Sequence, residues 1–299
     1  MATTKSTRSG GATVKAAAGL APLAMALLLQ HAVLPSTGGP PPEGSPDPVV
    51  CPAEIEGVQG CHDEYPSGCS PTAKYDGFLN LLKNQLPQPT AKPVRTLGQA
   101  DFADLDKKTP KDLTATNHAD FADTLKQLGE GQIHAVIAYL YYVKSSGQES
   151  SNCELSADDS VDFHIGLGFD ADLAAKVLAN GGRKLTPDDH QALTDNSIIV
   201  EMTPHYRLKF KPDWSIDMLK PALGRQVRVV GQLLIDNEHN NSKDNCALGN
   251  GPHCWRASTW ELHPVTQFQV CTKDTCAENS PDWVDLENFE PPAKTVTTK

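Results

Sequence analysis

The sequence predicts a mainly β protein: a five-stranded OB-like barrel with a helix between strands three and four, preceded by a small helical, cysteine-containing region. Three observations predict it. Five β-rich stretches follow one another as strand, strand, strand, helix, strand, strand, which is the order of the OB barrel. Three of those stretches alternate apolar and polar side chains with period two, as half-buried strands do. A fourth, Gln132–Val143 (QIHAVIAYLYYV), is apolar on both faces and reads as a long central strand.

Before the barrel, Tyr75–Leu86 carries the apolar stripe of a short helix ended by Pro87. Ala119–Leu128 is a second helix, with Gly129 just after its last turn. The string ADFAD occurs at Ala100–Asp104 and Ala119–Asp123, too short to define a repeat. In Val161–Leu167, Phe163, Ile165 and Leu167 alternate with Asp162, His164 and Gly166. An insertion follows. Ala171–Leu178 reads as helix up to Gly181-Gly182, and Thr186-Pro187-Asp188-Asp189 as a capped helix start. In Ser197–Thr203, Ile198, Val200 and Met202 alternate with Ile199, Glu201 and Thr203. Trp214–Leu223 is the helix between strands three and four, and Gln226–Ile235 is strand four. The last strand is Ala257–Val270. There Trp260 and Leu262 oppose Glu261 and His263, and Pro264 marks an edge or bulge.

The domain reading is a signal peptide or anchor at 1–34, a disordered linker at 35–50, and a cysteine-rich helical region at 51–129. The barrel follows at 130–276, and a disordered tail at 277–299. Lys5, Arg8 and Lys15 precede the apolar run Ala16–Leu29, the form of a secretory signal, which points to a periplasmic or secreted protein. No clear small-x-small cleavage site follows, so an uncleaved anchor stays open, and with it a membrane contact. Eight cysteines suit an exported, disulfide-bonded chain. Cys246–Cys254 and Cys271–Cys276 are close enough for local loops, which leaves Cys153 to join the Cys51, Cys61 and Cys69 cluster. The spacing lacks the C-x-x-C of zinc knuckles. The net charge of −11 argues against a protein that grips nucleic acid without sequence preference.

The segments ESSNC, DFHIGL, SIIVEMTP, VRVVGQLLID and STWELHPVTQFQV, over roughly residues 130–272, resemble a broad family of exported bacterial proteins with an OB-like domain and no established activity. The resemblance implies a fold and a compartment, and little chemistry.

In the OB order, strands two, three and five lie side by side. Asp162 and His164, then Glu201, then Glu261 and His263 would share one face about 10 Å across. Imidazoles and carboxylates together suit zinc, manganese or iron. His164, Glu201, Glu261 and His263 are the candidate metal ligands, with zinc or manganese as the expected cofactor and Asp162 behind them. A metal there would activate water for hydrolysis. Val200–Pro204 also resembles the Val-Asp-Thr-Pro segment of thermonuclease-type OB enzymes, with Met202 as an extra residue and Arg207 as the phosphate-clamping candidate. The competing expectation is a structural Glu–His network covered by the helices of residues 75–128. As a binding module, the barrel would take an oligosaccharide, a peptide or an envelope protein. Asp162, His205, Arg207 and His239 are then the ligand-binding candidates, and Tyr139, Tyr141, Tyr142, Tyr206 and Trp255 the stacking candidates. The binding role is the leading expectation and the hydrolase the alternative.

Overall fold

The computed structural model describes residues 77–88, 94–152, 155–181, 185–249 and 254–291. The leader, the linker, Cys51, Cys61, Cys69 and Cys153 lie outside them. In chain order the elements are α1 (Gly77–Lys83), β1 (Thr96–Leu97), α2 (Gln99–Lys108), α3 (Ala122–Leu128), β2 (Ile133–Ser145), β3 (Phe163–Gly168), α4 (Ala171–Asn180) and α5 (Pro187–Asp195). They continue with β4 (Ile198–Met202), α6 (Pro204–Phe210), α7 (Ile216–Leu219), β5 (Gln226–Ile235), β6 (Trp260–Cys271) and β7 (Trp283–Asp285).

Five strands close into a barrel in the order β2-β3-β4-β6-β5, with β5 returning to β2. The β4–β6 contact is parallel and the other four barrel pairings are antiparallel. This is the strand order that the sequence predicts. Closure depends on the length of β2. Ile133–Tyr139 pair with β5, and Tyr139–Ser145 pair with β3. The β2–β3 register shifts between Leu140 and Tyr142, a bulge of the kind that bends a strand round a barrel. The β5–β6 register shifts on both sides of Gly231, where β6 carries Pro264. Proline offers no N–H to continue the ladder.

The alternation sorts the two faces as expected. Phe163, Ile165, Leu167, Ile198, Val200, Met202, Trp260 and Leu262 join one buried apolar cluster with Val136, Leu140, Val229 and Phe268. Burial of each such side chain stabilises the fold by about 1.5–3 kcal/mol. Trp260 is fully buried, and its indole N–H donates to Thr109 Oγ1 at 2.9 Å.

The helix signals acted locally, as capping chemistry does. Asp170 accepts from the Asp172 and Leu173 amides, and α4 stops at Gly181 in the left-handed region. Thr186 caps α5 with Pro187 at its start, and α3 ends on Gly129 at φ 113°. Strand β1 escapes the pattern reading because two residues carry no period, and helix α2 is an addition to the elements read from the sequence. Helix α6 is a third addition, although Pro204 in its first turn is a recognisable start. Residues 277–299 are not a disordered tail throughout. β7 pairs with β6 through Gln269, Val270 and Cys271, and Leu286 is buried. Three residues of strand carry no readable period, so partner contacts alone decide this element.

Cys246–Cys254 and Cys271–Cys276 are disulfide-bonded. Among the described residues, no helix is long and apolar enough to cross a membrane.

Gly168 is fixed by close approach. A Cβ there would lie 1.8 Å from the Tyr141 ring. That ring cannot swing away freely, because its hydroxyl donates to Asp170 O and accepts from the Asp170 amide. Gly168→Ala is expected to lower stability by at least about 1–3 kcal/mol, the range for overpacked cores. Urea melts of the two proteins measure this, and an unchanged midpoint would contradict the packing argument.

Candidate functional site

Glu201 is the fourth of the five residues of β4, on the face turned away from the apolar cluster, and is 1% exposed. Its neighbours follow from register. His164 on β3 is its direct cross-strand partner. Val200 pairs with Leu262, which brings Glu261 and His263 of β6 alongside. His164 Nε2 lies 3.2 Å from Glu201 Oε1, and His263 Nδ1 lies 3.1 Å from Glu201 Oε2. His263 Nδ1 is also 3.1 Å from Glu261 Oε1. The three side chains that the strand order places on one face therefore meet.

Further charges extend the network on both sides. Arg256 donates to Glu261 Oε2 at 2.5 Å and lies 3.8 Å from Asp236 Oδ2. Lys83 of α1 donates to the same Asp236 oxygen at 3.1 Å. Glu149, between β2 and β3, approaches His164 Nε2 at 3.5 Å. The expected helical cover over the Glu–His face is thus present, delivered by α1 through Lys83 and by Asn80, which donates to Ser150 Oγ at 2.7 Å.

Burial alone would lower the His164 pKa, but Glu201 and Glu149 overcome it and push the imidazole up to about 10. His263 behaves alike: burial opposes the charge, and Glu201 and Glu261 carry the value up to about 10. Glu201 is driven well below the usual carboxylate range by the two histidines, against the effect of burial. Burial opposes ionisation at Asp236 too, and Lys83, His239 and Arg256 hold it low. Asp162 differs. It is fully buried, and desolvation lifts it to about 7.

The network opens into a cavity of about 250 Å³. Asn80 and Lys83 come from α1, Lys144 from β2, His164 from β3 and Glu201 from β4. The loop between β2 and β3 adds Gln148, Glu149, Ser150 and Ser151. The loop between β5 and β6 adds Trp255, while Asp236, Glu238 and His239 lie just past β5. The second loop is braced by its disulfide and by Asn245, which donates to Thr259 Oγ1 at 2.9 Å.

The sequence candidates divide on this geometry. Of the four expected ligand-binding residues, only His239 lines the cavity. Asp162 is sealed behind it. His205 Nδ1 lies 2.9 Å from Asn84 O. Arg207 Nε donates to Met202 O at 2.9 Å, and its Nη2 donates to Val161 O at 2.6 Å. Its plane covers the Phe163 ring at 3.7 Å. Arg207 thus fastens two strand ends and edges a separate depression of about 490 Å³. Of the stacking candidates, Tyr141 and Tyr206 are buried, and only Trp255 reaches the cavity. Among the metal candidates, Glu261 is matched by Arg256 and His263, and His164 sits between two acids. The ligand atoms of Asp162, Glu201 and His263 lie within 4.8 Å of one another, as do those of Glu201, Asp236 and Glu261 and those of Asp195, Cys246 and Cys254.

Lys83, Glu149, Asp236 and Arg256 escape the sequence reading. Arg256 has the nearest signal, a cation just before a strand bearing two polar groups on one face. Lys83 closes an apolar helix, and nothing local tells it from a solvated lysine.

The fold and site define a closed, mixed five-stranded barrel with a buried ion network on its outer face and a polar cavity above it. Comparison with known proteins returns no matching family model, curated protein or solved structure.

Two expectations follow. Replacing Lys83 by Ala leaves Asp236 with less counter-charge in a buried site, so stability should fall by about 3–5 kcal/mol. Calorimetry or urea melts check this, and a loss below about 1 kcal/mol would place the pair in solvent. The second concerns pH. A histidine whose folded pKa stands above its unfolded 6.5 contributes fully below pH 6.5. That contribution is lost as pH rises through about 10. Wild-type stability in chelator should therefore decline over this window more steeply than that of His164→Asn, and parallel curves would show an uncharged imidazole.

Proposed function

We propose that this protein is an exported, disulfide-stabilised binding module that takes an oligosaccharide in the cavity above Glu201. One observation carries the reading. The cavity lies over the second and third barrel strands and between the two loops with which OB barrels hold oligosaccharides and oligonucleotides. Its chemistry favours the saccharide. Four acids, Glu149, Glu201, Asp236 and Glu238, line the cavity together with Lys83, Lys144 and His164. Such a balance offers no excess positive charge to a phosphate backbone. The acids and the amides of Asn80 and Gln148 suit hydroxyls, which both donate and accept. The half-buried indole of Trp255, tethered by its N–H to Asp244 at 3.0 Å, already meets His239, Lys144 and Arg256, and the part of it that lines the cavity would pack against a sugar ring. Peptide and envelope-protein partners are the other occupants of this reading. The two disulfides, together with the leader-like start, support export.

A divalent-metal-dependent hydrolase of nuclease type is the second reading, and the grouping of Asp162, Glu201 and His263 favours it. The engagement of Arg207 with backbone carbonyls and the charge balance of the cavity weigh against a phosphodiester substrate.

Screening the whole chain against an oligosaccharide array, followed by calorimetric titration, tests the proposal. Binding should weaken by about tenfold or more in Trp255→Ala, equivalent to about 1.4 kcal/mol. Absence of any saccharide binding, or equal binding by the variant, would remove the reading.

A further inference from the structure

We propose that Asp162, Glu201 and His263 form a divalent transition-metal site, for zinc or manganese, buried behind the cavity. Among the described residues, three groups bring potential ligand atoms within 4.8 Å of one another, and chemistry separates them. The sulfurs of Cys246 and Cys254 are joined in a disulfide, so they offer no thiolate beside Asp195. In the group of Glu201, Asp236 and Glu261, fixed cations already neutralise two members: Lys83 at Asp236 and Arg256 at Glu261. The remaining group retains unmet polar atoms.

Among the described residues, neither carboxylate oxygen of Asp162 has a hydrogen-bond partner, nor has Nε2 of His263, and all three atoms are buried. Asp162 and His263 are each 0% exposed. A buried carboxylate with no partner is costly, and a bound cation removes that cost. An imidazole nitrogen left bare while the other ring nitrogen meets a carboxylate is the arrangement found behind metal-bound histidines. Glu261 Oε1, 3.1 Å from His263 Nδ1, supplies that carboxylate. Two carboxylates and one imidazole suit zinc or manganese, whereas calcium takes an all-oxygen shell. Asp162 therefore replaces Glu261 and His164 in the ligand set expected from the sequence. Glu261 becomes the residue that orients His263. Glu201 also lines the cavity, so the ion would lie against its inner wall. The site stands whether or not a saccharide occupies the cavity.

The test uses the whole, oxidised, untagged chain, dialysed against chelator and titrated with Zn²⁺, Mn²⁺ or Ca²⁺. Wild type should bind one equivalent of Zn²⁺ or Mn²⁺ with a rise in melting temperature, and Ca²⁺ should leave it unchanged. Substoichiometric Mn²⁺ should first broaden the amide resonances around Asp162, Glu201 and His263. Glu261→Gln should weaken binding by about 10–100-fold, the range for residues that orient a ligand. Asp162→Asn and His263→Gln should weaken it by more than about a hundredfold, since a ligand itself is lost. No zinc or manganese binding by wild type, broadening centred elsewhere, or wild-type affinity in folded Asp162→Asn would overturn the site. If a variant does not fold, the wild-type titration and the broadening pattern decide.

Discussion

Glu201 is the residue on which the outer face of this barrel depends. Its carboxylate has His164 at one oxygen and His263 at the other, and all three belong to adjacent strands. A buried carboxylate between two imidazoles is stabilised when they are charged, so the three groups titrate together, and a cation at His263 Nε2 would take the place of the proton there. Truncating one partner of such a set costs about 3–5 kcal/mol, because the other charge is left buried and unmatched. That constraint ties β3, β4 and β6 to one another from the side opposite the apolar interior.

The network also explains why so many polar elements cover the face. A charged cluster cannot be sealed by apolar packing alone, since each remaining lone pair and proton needs a partner. Lys83 arrives from α1, Glu149 from one loop and Arg256 from the other. The second loop is itself fastened: Asp106 of α2 accepts from the Thr259 amide, and His118 Nε2 lies 2.9 Å from Glu130 Oε2 while its Nδ1 lies 2.7 Å from Asn237 Oδ1. These contacts hold the cavity walls in place, which would reduce the entropy cost of the proposed binding.

Asp162 is the exception within this balance. Among the described acids of the cluster, Asp162 is the one with both oxygens buried and without a hydrogen-bond partner. Proteins retain such unfavourable groups most often where they serve a function. The metal proposal and the saccharide proposal meet at Glu201 and otherwise draw on different groups, the first on Asp162 and His263 Nε2 and the second on Trp255 and the loop polar groups.

The barrel, its strand order and the convergence of His164, Glu201 and His263 were legible in the amino-acid order alone. Period-two alternation and capping residues are local signals, and strand order fixes which strands touch. The sequence also marked both short disulfides, because five- and eight-residue separations are local too. It did not disclose Lys83, Glu149, Asp236 and Arg256 as members of the network, nor Arg207 as a strand clasp, nor β7. Only the tertiary structure decided those roles, because a charged side chain looks the same in sequence whether it meets water or a buried partner. That difference is made by segments brought together from distant parts of the chain, as Lys83 and Asp236 are across 153 residues.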